Sequence, residues 1–308
     1  MQLPDFPDLP AAQRGQGAVY VHYEDIAQDG SLKVGGMLPA IGLVAMGKLW
    51  FKTPLSNASR AQGIIPILTR LTMQGIGGPL SVRNKVEVEG AYQIGHTRDA
   101  SGAVSRIVVN SYADLYGPVG RTHPPQPENA GERVHAGRVF AEHVFTRPFG
   151  PPDARKVHAL PTPDGPLVPG PVLSFREAIA TLDVGPATWL EPTLAVDPTP
   201  LTFGLTHTDS NQHVNSLVYP QLFEDAALRR LFDLGRDTRA LLADVVDVAF
   251  RKPCFAGQRM FVWLRAFEQD GKLGAVAYLG PKDCPPERAH CVCALTFRDG
   301  ERSGSSHA

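Results

Sequence analysis

From Asn215 onward the apolar residues keep a helical period: Val218, Leu222 and Ala226 recur every four residues, and so do Tyr219, Phe223, Ala227 and Leu231. That wide stripe predicts a helix buried along much of its circumference. Immediately before it the polar positions alternate instead, with Asp209, Asn211 and His213 at every second residue. On an extended backbone those three side chains share a face. The trio is therefore expected at a strand-to-helix junction, with Asn215 as the helix N-cap and the unpaired first-turn amides facing it. Further on, strand-like alternation predicts strands over 245–251, 260–267, 275–279 and 289–297. A turn over 253–258 separates the first pair, and Asp270-Gly271 closes a hairpin between the second and third.

The first half follows the same order. A β-like stretch near 19–25 leads through a polar turn to an apolar helix beginning near 37–40, then to strands over 80–89, 92–97, 104–112 and 138–147. Setting Asp25 on Asp209, an offset of 184 (209 − 25), places Ala27 on Asn211, Asp29 on His213 and Leu38 on Leu222. On that alignment the polar trio survives only in the second copy. Each half reads as an α+β unit in which one long helix is wrapped by a curved antiparallel sheet. Proline and glycine concentrate over 117–131, a surface excursion, and over 148–171, an extended connection. The expected division is a first domain over 1–150, a Pro-rich linker over 151–172 and a second domain over 173–308.

Composition narrows the function more than the fold. With 308 residues the chain suits two domains. Its 30 basic and 31 acidic residues leave a net charge of −1, which provides no electrostatic footprint for nucleic acid or an anionic membrane. The N-terminal residues lack a basic and apolar leader pattern, and no uninterrupted apolar run reaches membrane-spanning length, so a soluble cytoplasmic protein is expected. Four cysteines, Cys254, Cys284, Cys291 and Cys293, all fall late in the chain and form no zinc-type pair of CxxC motifs. The segment 301–308, small and polar, is expected to be a frayed tail.

Several chemistries fit the polar stretch. His213 can take a proton from water, Asp209 can orient it, and Asn211 can donate and accept. Cys254 offers a thiol nucleophile with His213 as its partner, although Phe250 and Phe255 beside it favour an inert packed thiol. His207, Asp209 and His213 on one face would make a metal site, but no second ligand cluster supports one. The structural alternatives are ordinary: Asp209 and Asn211 as turn and cap formers, His213 as a hydrogen-bonded structural histidine. Tyr219, Phe223 and Phe232 read as a core stripe, and Asp225 with Arg229 as a solvated i, i+4 helix pair.

The string Asp209-Ser210-Asn211-Gln212-His213-Val214-Asn215, followed by Tyr219, resembles the D-x-N-x-H-V-N motif of the acyl-acyl-carrier-protein thioesterases of plants and bacteria. Gln28-Asp29-Gly30-Ser31-Leu32 is similar to the turn that opens that family's N-terminal domain, and Phe250-Arg251-Lys252-Pro253-Cys254 to its Y-R-R-E-C segment. The resemblance spans roughly residues 15–300 and implies two fused hot-dog domains. It also implies hydrolysis of a fatty acyl thioester carried on acyl carrier protein or coenzyme A. On this resemblance the acyl chain lies in the N-terminal domain, and Asp209, Asn211 and His213 are the catalytic set. Cys254, Asn215 and Tyr219 are then further catalytic or site-lining candidates. No cofactor, metal, nucleic acid or membrane is implied, and fusion makes the chain either a monomer of two units or a homodimer. One departure matters: Pro253 stands where the family has a glutamate often assigned to water activation. A hot-dog dehydratase or hydratase, and a catalytically silent acyl-binding protein, are the competing readings.

Overall fold

The computed structural model describes residues 3–300; the tail expected over 301–308 lies outside them. The first half supplies strands β1 (Arg14–Tyr20), β2 (Ile65–Gly75), β3 (Lys85–Arg98), β4 (Val104–Pro118) and β5 (Arg133–Thr146). A short hairpin of β6 (Leu160–Thr162) and β7 (Gly165–Leu167) follows. Next come three two-residue strands, β8 (Thr188–Trp189), β9 (Ala195–Val196) and β10 (Leu201–Thr202). The second half closes with β11 (Leu241–Phe250), β12 (Arg259–Gln269), β13 (Lys272–Gly280) and β14 (Cys291–Asp299).

These strands form one sheet in the order β1-β3-β4-β5-β2-β11-β14-β13-β12-β10, with β8 and β9 adding to β12. The two halves of that order mirror each other about the antiparallel β2–β11 pair, where Thr72 lies opposite Asp247. Each half curls its sheet around one apolar helix, giving two fused hot-dog domains. The first helical stretch runs through a π-helix, Ile41–Leu49, and is followed by the short helix α1 (Pro54–Ala61); the second is α2 (Val218–Asp233).

The helix of the first half sits so close to its sheet that a side chain would not fit between them. A Cβ on Gly90 of β3 would lie 2.6 Å from Val44 Cγ1, and one on Gly17 of β1 would lie 2.7 Å from Val44 Cγ2. Residues 34–52, interrupted by Lys48, have a mean hydropathy of 1.5 and are, by length and composition, apolar enough to cross a membrane. Here Met37, Ala40, Val44, Ala45 and Trp50 are buried against the sheet, as in a core helix.

Three further expectations change. β3 runs unbroken from Lys85 to Arg98, because Gly90 is the site of helix approach and not a turn. Phe232 is 69% exposed and lies outside the core stripe. Arg229 reaches Asp197 at 3.3 Å, a buried carboxylate, so it is not simply a solvated partner of Asp225. The Pro-rich connection docks on the sheet beyond the end of β1: His96 N donates to Pro171 O, Leu173 N donates to His96 O, and His96 Nδ1 lies 2.7 Å from Pro169 O.

At the seam a buried ion pair crosses between halves. Arg70 Nη1 lies 2.8 and 2.7 Å from the two Asp247 carboxylate oxygens, and Thr72 Oγ1 donates to Asp247 at 3.1 Å. Arg70 also donates to Thr181 Oγ1 and to Arg176 O, so the charge is solvated by protein. Removing one partner strands a charge in a medium that cannot hydrate it. Arg70→Met is expected to cost about 3–5 kcal/mol in denaturant unfolding, with Arg70→Met/Asp247→Leu recovering most of the loss. Equal losses in the single and double variants would show that the pair does not carry the seam.

Candidate active site

The segment 204–218 is a closed loop, not the extended strand its alternation suggests. A short 3-10 turn, Leu205–His207, leads into a bridge between Thr208 and Val214. Inside that bridge Asp209 N donates to His213 O, and Gln212 N donates to Asp209 O. Closing so tight a turn requires the left-handed region, and Gln212 takes it at φ 64°. An ordinary side chain is thus held in a strained conformation within the polar motif, a feature that often accompanies function.

The side chains divide into those that build the loop and those left over. Asp209 Oδ1 accepts from Asn211 N at 2.8 Å, and Asp209 Oδ2 accepts from Asn215 Nδ2 at 3.0 Å. Asn215 Oδ1 in turn accepts from Leu217 N at 2.9 Å. His207 Nδ1 accepts from Gly204 N at 2.9 Å, so it braces the turn on its own side. The Asn211 side-chain carboxamide and His213 Nε2 make no hydrogen bond with any described residue; His213 Nδ1 makes only a long 3.4 Å contact with Val214 O. Asp209 therefore shapes the loop that presents Asn211 and His213, and no hydrogen bond joins the imidazole to either of the other two.

Asn215 is not the helix cap expected from the sequence. α2 begins at Val218, and Asn215 instead anchors the turn before it, with Val218 N donating to Asn215 O. Leu217 N is taken by the Asn215 side chain, and Pro220 has no amide to give. The free amide end anticipated for α2 is thus largely spent. The physical reason is that an asparagine two or three residues before a helix can satisfy the same donors through an Asx turn.

Behind the loop lies a buried thiol. Val214 N donates to Cys254 O at 2.8 Å, Cys254 N donates to Tyr219 Oη at 3.3 Å, and His290 Nδ1 lies 3.5 Å from Cys254 Sγ. Burial pushes the Cys254 thiol up and the Tyr219 hydroxyl up, and it pulls the His290 imidazole down. The same nitrogen of His290 lies 3.1 Å from Pro253 O, which favours its carrying the proton. A protonated thiol beside a neutral imidazole that offers it no base is a packed group, and His290, not His213, is its neighbour. His290 follows a proline-rich loop and sits one residue before β14; nothing in its local pattern marked it out.

The two halves align differently from the motif-based offset. His22 N to Asp25 Oδ2, Ala27 N to Ser31 O, Gly30 N to Ala27 O and Lys33 N to Asp25 O are matched by four bonds in the second half. Those are Gly204 N to His207 Nδ1, Asp209 N to His213 O, Gln212 N to Asp209 O and Asn215 N to His207 O. The offset is thus 182 (207 − 25), so Asp25 corresponds to His207, Ala27 to Asp209, Asp29 to Asn211 and Ser31 to His213. Matching Asp to Asp misled the sequence alignment by two residues, because the backbone turn and not the carboxylate is what repeats.

Among the described residues no group of three or more His, Cys, Asp or Glu could hold a metal ion. No family model matches the sequence, and no curated protein does. Solved structures do match over nearly the whole chain. A protein described as an oleoyl thioesterase from Lactobacillus plantarum superposes with a TM-score of 0.60 at 12% identity, covering 94% of this chain and 98% of that one. An acyl-ACP thioesterase from Bacteroides thetaiotaomicron gives 0.54 at 12% identity, with 92% and 98% covered. The 12:0-ACP thioesterase from Umbellularia californica gives 0.53 at 13%, with 93% and 94% covered.

Thiol accessibility follows from the burial of the cysteines. Cys254, Cys291 and Cys293 are buried and their thiols pushed up, while Cys284 is half-exposed. In native protein a disulfide reagent is expected to titrate Cys284 quickly and the other three only on unfolding. Fast labelling that persists in Cys284→Ser would contradict the packed assignment of Cys254. In architecture, the chain is a double hot-dog protein of the kind seen in the acyl-carrier-protein thioesterases.

Proposed function

We propose that this protein hydrolyses acyl thioesters carried on acyl carrier protein or coenzyme A, using the loop around Asp209, Asn211 and His213. The observation that carries this reading is the division of labour in that loop. Asp209 and Asn215 close its hydrogen-bond frame, while the Asn211 side-chain carboxamide and His213 Nε2 are left without a described partner. The matching architecture over more than nine-tenths of three thioesterase chains supports it.

In this mechanism His213 Nε2 takes a proton from water, and the water oxygen bonds to the carbonyl carbon. The Asn211 amide steadies the water or the growing oxyanion. The tetrahedral intermediate then expels the thiol, which recovers a proton from the imidazolium. Asp209 works through the loop geometry, so its role is positioning. Pro253 contributes a carbonyl to His290 and no carboxylate, which leaves the base work to His213. An open pocket of about 360 Å³ beside Trp50, Leu55, Tyr92 and Ile94 is the first half's candidate room for an acyl chain.

His213→Ala and Asn211→Ala are each expected to lower thiol release by about a hundredfold or more, the scale of a lost acid–base or oxyanion group, with unchanged melting temperature. Asp209→Asn should lower turnover and also reduce stability by about 1 kcal/mol, since it replaces a charged acceptor of two hydrogen bonds. The measurement is thiol release from acyl-carrier-protein and coenzyme A thioesters over a range of chain lengths. Unaltered rates in both His213→Ala and Asn211→Ala would remove the loop from the reaction.

A further inference from the structure

The first-half loop, which the sequence left without a polar trio, borders a cleft of about 970 Å³. Its walls come from both halves: the loop around Asp29, Ser31 and Lys33 on one side, and Glu224 of α2 with Leu242 and Arg298 on the other. Asp29 Oδ1 accepts from Ser31 N and Oγ at 2.9 and 2.6 Å, and its second oxygen accepts from Arg298 Nη1 at 2.8 Å. Arg298 Nη2 also donates to Ser31 Oγ at 2.6 Å. Burial raises the Asp29 carboxyl, but the Ser31 and Arg298 bonds outweigh it and hold the group below its ordinary range. Asp29 is a committed carboxylate with its acceptors engaged.

Glu224 is in the opposite state. It is half-buried on the wall of the cleft and accepts no hydrogen bond from a described residue. Burial, and to a lesser degree the neighbouring Asp225 charge, raise its carboxyl, partly offset by Lys33. A carboxylate that is desolvated, unpartnered and open to a large cavity is poised to take a proton from a bound molecule. By the 182-residue register Asp29 and Ser31 stand in the places of Asn211 and His213, and Glu224 is the mate of Gly42. A Cβ at Gly42 would meet nothing within 4 Å. The two mates are thus complementary: one loop has an imidazole and its helical mate position no carboxylate, while the other has no imidazole and faces a helical carboxylate.

We propose that this cleft is a second acyl-thioester centre, in which Glu224 is the base and Lys33 faces the developing oxyanion. It rests on the reading that the protein handles acyl thioesters, but not on His213. Glu224 takes a proton from water, whose oxygen bonds to the carbonyl carbon; the carbon–sulfur bond then breaks, and the departing sulfur receives the proton held by Glu224. Water is the only co-reactant, and the products are a carboxylic acid and a thiol.

The test measures thiol release from short- and long-chain acyl-coenzyme A thioesters by full-length wild type, His213→Ala, Glu224→Gln and the double variant. His213→Ala is expected to keep a residual turnover on at least one thioester, which the double variant lowers at least a further tenfold. Lys33→Ala, at an exposed position, should lower the same residual turnover in the His213→Ala background and guards against a folding defect in Glu224→Gln. The proposal is overturned if His213→Ala has no residual turnover, or if neither Glu224→Gln nor Lys33→Ala reduces it. Full activity in His213→Ala with loss in Glu224→Gln would instead refute the first centre and leave this one standing.

Discussion

The pairing of β2 with β11 is the constraint on which everything else depends. Without it each half is a curled sheet with a further open edge, at β2 or at β11. With it, Thr72 lies opposite Asp247, the β2 and β11 edges are consumed, and the sheet becomes continuous across both halves. The Arg70–Asp247 pair is placed on that seam, buried and held by Thr72, Thr181 and Arg176. A slip of one residue in the pairing would part Arg70 from Asp247.

The same seam creates the chemistry. Because the halves meet through an approximate two-fold relation, the loop preceding one helix is brought against the other half, as the cleft shared by Asp29, Glu224 and Arg298 shows directly. Two mates arise from one duplicated turn. They differ in which residues occupy equivalent backbone positions: Asn211 and His213 in one, Asp29 and Ser31 in the other. The backbone hydrogen bonds of the turn are retained, so each loop is a rigid stage on which different side chains are displayed. In the first loop Gly30 meets the left-handed requirement at φ 89°, and in the second Gln212 does so at φ 64° and at greater steric cost.

Asp209 shows how a carboxylate inside a polar motif can be engaged by its own loop. A carboxylate two residues from an asparagine and four from a histidine suggests a converging trio. In the structure its two oxygens are occupied by the Asn211 amide N–H and the Asn215 side chain, so it fixes the presentation of its neighbours. Cys254 shows the converse. Its place behind the loop is real, through Val214 and Tyr219, yet burial raises its thiol and removes the reactivity that a cysteine near a histidine suggests.

Residue pattern alone determined the two helices and most of the second half's strands, because apolar period and turn chemistry are local quantities. The stripe from Val218 to Leu231 and the Asp270-Gly271 hairpin needed no partner to be recognised. It also marked Asp209, Asn211 and His213 as the chemically unusual stretch. Only the tertiary structure decided that this stretch is a closed turn, that the repeat offset is 182 and not 184, and that β3 passes Gly90 without breaking. It alone brought Glu224, His290 and Arg298 to their neighbours, across sequence distances over which a single chain carries no local signal. Hydrophobic period records which side of an element is buried; what it is buried against, and which polar groups are left unpaired there, is settled only when the two halves close on each other.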